Sequence, residues 1–129
     1  MTPSLRRAFR TTTYEAEGAI ARIGRRGAAL DALLAARGAR VAGFVTAWNP
    51  FSRRMPCGVN DRMQDRLRAL ARGRVLGEGF GRGRCWAEHH LLVAGDPRAL
   101  RVMARRFRQH AIVIVAPRHA ARLVEAQRR

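Results

Sequence analysis

The sequence predicts an α/β (α+β) fold: a single small domain with a mixed sheet of about five to six strands and about four helices. Three observations carry this expectation. Apolar runs of strand length, at 41–47 and 111–115, alternate with stretches of helical period at 28–37, 60–72 and 96–108. Glycine and proline punctuate nearly every change of period. The length, 129 residues, suits one domain and can bury roughly two-thirds of the unfolded surface without a covalent staple. The domain is assigned to residues 1–129, with 1–10 as an N-terminal extension and the core over about 11–128.

Taken in order, residues 4–10 form a short helical turn with Leu5 and Phe9 on one side. Thr11 to Tyr14 is β-prone through branched and aromatic side chains, and Glu17-Gly18 turns the chain into Ala19–Ile23, the second arm of a hairpin. Ala28 to Arg37 is a helix with Leu30, Leu33 and Leu34 on one face and Gly38 as its C-terminal cap. Val41 to Ala47 reads as a strand buried on both faces, and Pro50 ends it. Phe51 to Val59 reads as a loop of functional length. Asn60 or Asp61 then caps a helix carrying Met63, Leu67, Leu70 and Ala71 inward, with Gln64 as the partner in a capping box.

After the short strand Arg74–Leu76, glycine at positions 77, 79, 81 and 83 reads as a flexible hairpin loop. Cys85 to Ala94 is a long strand. Asp96 caps the next helix, with Pro97 in its first turn and Leu100, Met103, Ala104 and Phe107 inward. Ala111 to Val115 is a second buried strand, and 118–128 is expected to be a terminal helix with Ala121, Leu123 and Val124 inward. The expected order is β-hairpin, α, β, α, β-hairpin, α, β, α.

Composition narrows the function classes. Hydrophobic residues at 47% and charged residues at 27% describe a globular chain rather than a disordered one. No apolar run reaches the roughly 18 residues of a membrane span. The net charge is +17, and all 26 basic residues are arginine. Such a field attracts anions and nucleic acid. Arginine without lysine, beside abundant Ala and Gly, is also what a high-GC coding bias produces, so the charge has a compositional explanation as well as a functional one. Cys57 and Cys85, with no secretion signal before them, read as reduced thiols of a cytoplasmic protein.

The candidate chemistry is sparse. The glycine series lacks the lysine and hydroxyl of a nucleotide-binding loop and precedes a strand rather than a helix. His89 and His90 point to opposite faces of a strand, so no metal site and no cofactor is expected. Neither cysteine is expected at a helix start, and no orienting group for Cys–His chemistry is apparent. Glu78 and Glu88 lie within or beside apolar strands. A carboxylate buried there costs several kcal/mol unless paired, so each is expected to hold an arginine or to face a pocket. Thr46, Asn49, Asn60 and Gln109 stand where apolar elements begin or end. They either line a site or brace the loop between them.

Thr46-Ala47-Trp48-Asn49-Pro50 with Ser52, then Asn60, then Glu88 followed by Leu91-Leu92-Val93, then Phe107-Arg108-Gln109-His110-Ala111-Ile112 resembles a small bacterial family known as domain of unknown function 3293. The likeness runs from about Thr13 to Val115. The family's last motif is Phe-Gly-Gln-Asn-Ala, where this chain has Arg108 and His110 in place of glycine and asparagine. Near Glu88 the family carries an acid and a serine where His89 and His90 stand here. Thr46, Asn49, Asn60, Glu88 and Gln109 match. The resemblance implies a single α/β domain and supplies no activity.

The sequence-based expectation is a pocket at the end of the 41–47 strand for a small polar or anionic ligand. Thr46, Asn49, Asn60, Glu88 and Gln109 would line it, and Arg53 or Arg54 would add positive charge. Glu88 is the one candidate catalytic group, and binding and catalysis stay equally open. Nucleic-acid binding through the arginine surface and a protein-interaction or regulatory role are the alternatives. Oligomeric state is not legible.

Overall fold

Side-chain alternation along three central strands builds the core. A computed structural model describes residues 1–127. The elements are α1 (Pro3–Thr11), β1 (Thr13–Ala16), β2 (Ala19–Ala21), α2 (Ala28–Ala36), β3 (Ala42–Val45), a 3-10 turn (Pro50–Ser52), α3 (Cys57–Leu70), β4 (Val75–Arg82), β5 (Ala87–Ala94), α4 (Pro97–Arg106), β6 (Ala111–Val115) and β7 (Arg122–Glu125). The strands form one seven-stranded sheet in the order β2-β1-β4-β5-β3-β6-β7. On β3, β5 and β6, Phe44, Leu92, Val113 and Val115 face one side, with Tyr14 of β1, under Leu30 and Leu34 of α2. Val45, Leu91, Val93, Ile112 and Ile114 face the other, under Leu67 of α3 and Leu100, Met103, Ala104 and Phe107 of α4. Both faces are therefore covered, which is why these strands read as unbroken apolar runs. Each such side chain, fully buried, contributes about 1.5–3 kcal/mol.

The α+β class agrees with the sequence, and so does the number of helices, but only α2, α3 and α4 fall where helices were expected; the fourth is α1, in place of a terminal helix, and the sheet has seven strands rather than five to six and is antiparallel rather than mixed. Every strand ladder among the described residues is antiparallel. The one parallel contact is a bridge between Ile23 and Ala121, just beyond the two edge strands. There Gly24 N donates to Ala121 O at 2.7 Å and Ala121 N to Arg25 O at 3.0 Å. The sheet thus coils until its edges touch, and backbone groups that an open edge would expose are paired.

Glycine explains the coiling and corrects the expected flexible loop. Residues 77–82 belong to the eight-residue strand β4. A Cβ on Gly79 would run into the Glu15 carbonyl. One on Gly77 would stand 2.6 Å from Glu17 Cγ, and one on Gly81 2.8 Å from His90 Cε1. Alternate glycines leave one strand face bare, and the chain from Tyr14 to Glu17 crosses it, with Glu17 N donating to Glu78 O at 3.1 Å.

Two helix expectations also change. The expected terminal helix is a turn followed by β7, with residue 128 outside the described residues. Ala116-Pro117-Arg118-His119 closes with His119 N on Ala116 O at 3.1 Å and Arg118 at φ 65°, the form of a type II turn with proline second. β6 is buried along its whole length, pairs with β3 on one side and gains from β7 the ladder its other side would lack. Helix α3 begins at Cys57, so Asn60 is inside it rather than capping it, and Cys57 does stand at a helix start. Leu70, expected inward, is 40% exposed. At the other end of the chain α1 packs on the sheet through Phe9, and Met1 N and Arg6 pair with Glu125 of β7.

Candidate ligand site

The exit of β3 is held by side chains rather than by strand pairing. Thr46 Oγ1 donates to His89 O at 2.6 Å and accepts from Trp48 N at 3.0 Å. Gln64, one turn beyond Asn60 on the same face of α3, accepts from Ala47 N at 2.8 Å and donates to His89 O at 3.1 Å. Asn49 and Asn60 bond reciprocally: Asn49 N donates to Asn60 Oδ1 at 2.9 Å, and Asn60 Nδ2 to Asn49 Oδ1 at 3.0 Å. Asn49 Oδ1 also accepts from Met55 N at 2.9 Å. Gln109 Nε2 donates to Trp48 O at 3.0 Å and Phe107 O at 3.2 Å.

These bonds hold a strained chain. Asn49, Phe51 and Ser52 all have left-handed backbones, with φ of 46°, 50° and 62°. Such conformations in residues other than glycine cost of order 1 kcal/mol or more each and persist only where surrounding contacts fix them. Among the described residues no buried side-chain nitrogen or oxygen lacks a partner.

One bond leads out of this network. Asn49 Nδ2 donates to Glu88 Oε2 at 3.1 Å. Glu88, half-buried, lines a cavity of about 360 Å³ between α1 and the β1–β4–β5 end of the sheet. Leu5, Ala8 and Phe9 of α1 form one wall; Tyr14, Trp86 and His90 form another. Burial pushes the Glu88 carboxyl up to about 7, although the Asn49 and Trp86 side chains pull it down. Burial also pushes His90 down to about 4, so its ring is neutral at pH 7. His90 Nδ1 lies 3.0 Å from the Glu88 carbonyl oxygen, which can only accept. Nδ1 therefore carries the proton and Nε2 the lone pair. Burial raises the Tyr14 hydroxyl well above the usual phenol range, and Tyr14 stacks edge-on to His90 with ring centroids 5.5 Å apart.

On the opposite face of β5, Glu78 joins two elements. Its carboxylate accepts from Arg68 at 2.9 and 3.2 Å and lies 3.2 Å from His89 Nε2. The Arg68 guanidinium holds it below the usual carboxylate range. This is a structural pair that fastens α3 to β4.

The five polar residues singled out in the sequence thus lie in one region, but only Glu88 lines the cavity. Asn49 supports it from behind, Asn60 supports Asn49, and Thr46 and Gln109 fix the backbone around Trp48. Arg53 is exposed. Arg54 donates to Cys85 O at 2.9 Å and stacks 5.1 Å over Trp86. Cys57 and Cys85 are both free and exposed. No three His, Cys, Asp or Glu side chains among the described residues group as metal ligands would. Sequence reasoning missed Phe9, Tyr14, Trp86 and His90. The period-two spacing of Trp86, Glu88 and His90 on β5 was the available signal.

A family model described as "Protein of unknown function (DUF3293)" matches residues 45–112, more than half of the chain. The chain belongs to this family. The DUF3293 span begins at the last residue of β3 and ends inside β6, a narrower range than the Thr13–Val115 likeness read from the sequence. It holds Asn49, Asn60, Gln64, Glu78, Glu88 and Gln109, whereas the cavity wall from α1 and β1 lies outside it. No curated protein and no solved structure matches the chain.

Proposed function

We propose that this chain binds a small polar organic molecule in the cavity under α1, with Glu88 anchoring the ligand's polar group and exchanging a proton with it. The supporting observation is the state of Glu88. Its carboxyl lines an otherwise largely apolar cavity, is held by Asn49 through one oxygen, and is pushed up to about 7. Concave, mostly apolar sites with a few convergent polar groups are what small ligands occupy. A carboxyl that titrates near neutrality can give or take a proton at working pH. The strained, over-bonded segment from Asn49 to Met55 then has a purpose: it fixes the donor that orients Glu88.

The test is a fragment library screened against the full chain by protein-observed NMR. Binders should cluster their shifts on Tyr14, Trp86 and His90, and E88Q should weaken them. A library whose hits all fall elsewhere, or are indifferent to E88Q, would remove the reading.

A further inference from the structure

The cavity's hydrogen-bonding groups are unbalanced, and the imbalance specifies its ligand. Most donors on its walls are already used, the Trp86 indole on Glu88 among them, and those with no partner among the described residues, the Ser52 hydroxyl and the Arg84 guanidinium, belong to exposed residues. Thr12 Oγ1 donates to Ala8 O at 2.7 Å, Thr11 Oγ1 to Arg7 O at 3.1 Å, and the Tyr14 hydroxyl to Phe9 O at 3.5 Å. His90 spends its one N–H on the Glu88 carbonyl. What remains for a ligand inside the cavity, away from those exposed side chains, is acceptors: the Glu88 carboxylate, the lone pair of His90 Nε2, and the oxygens of Tyr14 and Thr12. The hydrogen bond that the His90 ring makes to the protein is through Nδ1, and His90 lines the cavity. Three aromatic side chains, Phe9, Tyr14 and Trp86, supply the walls, and aromatic faces attract cations. Arg84 is the one cationic side chain on the lining. It is exposed, so solvent and salt screen it from the interior.

Resting on the reading of this cavity as the ligand site, we infer that its occupant is a small organic cation: a nitrogen bearing N–H bonds, on a flat apolar body. Ammonium, amidinium and protonated ring nitrogens share this chemistry. The N–H bonds satisfy Glu88 and His90, the charge is matched by the carboxylate, and the body lies between α1 and Trp86. This reverses the preference for an anion that the overall charge suggests.

The test uses three isosteric probes on the full chain: benzamidinium, neutral benzamide and anionic benzoate. Binding is read from the indole N–H of Trp86 and the ring protons of His90. Benzamidinium should bind most tightly and benzoate least. E88Q should weaken benzamidinium by roughly tenfold to a hundredfold, the range of a charge-assisted hydrogen bond, and benzamide by far less. A second variant, A8W, fills the cavity from an exposed helix position without touching Glu88 and should abolish the shifts. Benzoate binding at Trp86 as tightly as benzamidinium would overturn the cation inference and leave the cavity reading standing, whereas benzamidinium indifferent to E88Q would overturn both, since both rest on Glu88 as the anchor. Binding that survives A8W, or no shift at Trp86 and His90 with any probe, would overturn both.

Discussion

Asn49 is the residue through which the frame and the cavity communicate. Its side chain serves Met55, Asn60 and Glu88 at once, so Asn49→Ala leaves one buried and two half-buried partners short. The expected loss is about 2–4 kcal/mol, read as a lower urea midpoint with an unchanged slope. Glu88 and His90 carry opposite pH dependences. The folded pKa of Glu88 is raised from 4.5 to about 7. The folded state therefore holds its proton more tightly, and stability from this group falls as pH rises through that window. The folded pKa of His90 is lowered from 6.5 to about 4. Stability from His90 is therefore lost as pH falls from 6.5 towards 4. The two nearly offset each other between pH 4.5 and 6.5. E88Q should unmask the histidine, making stability drop more steeply on acidification than in the parent, and should stabilise the protein at pH 8 by up to about 3 kcal/mol. Thermal unfolding across pH checks both. That Asn49, Asn60 and Glu88 would be hydrogen-bonded was legible because polar residues bordering apolar runs must find partners. Their individual partners were not, since nothing local indicates that Asn60 turns back to Asn49 instead of capping its own helix.

The elements teach a related lesson about glycine. Alternate glycines at 77–83 suggested flexibility, yet most of them lie in β4, and their spacing equals the strand period. The missing information was the chain crossing over them, a contact between segments far apart in sequence. Gly79→Ala should therefore fail to fold or lose more than about 3 kcal/mol, since the obstacle is the Glu15 backbone, while Gly83→Ala, whose nearest neighbour is 3.6 Å away, should change stability by under about 0.5 kcal/mol. Gly58→Ala, near the start of α3 with only the flexible end of Arg62 at 3.5 Å, should stabilise by about 0.5 kcal/mol. Denaturant titrations of the three variants separate these outcomes. β7 was misread for the same reason as β4. Ala121, Leu123 and Val124 fit a helical face as well as a strand, and only the demand of β6 for a second partner decides between them.

At the scale of the whole molecule, the coiled sheet, helix-covered on both faces and touching itself through Ile23 and Ala121, places α1 over one end of the barrel-like surface. Three of the four helices, α2, α3 and α4, and two buried central strands were visible in the sequence. The closure was not, because it depends on the glycine crossing and on β7 together. The net charge of +17 adds self-repulsion that ion pairs such as Arg68–Glu78 and Arg6–Glu125 relieve only in part. Raising sodium chloride from about 20 to about 300 mM should therefore raise the melting temperature by a few degrees, and a flat or falling salt profile would count against that repulsion. The cavity is where that basic surface gives way to acceptors and aromatic rings around one carboxyl. A carbon-13 NMR titration of the Glu88 side-chain carboxyl, assigned by its disappearance in E88Q, addresses this directly. The expected midpoint is near 7 and moves down when benzamidinium is bound. A midpoint near the ordinary 4.5, unmoved by the probe, would contradict it.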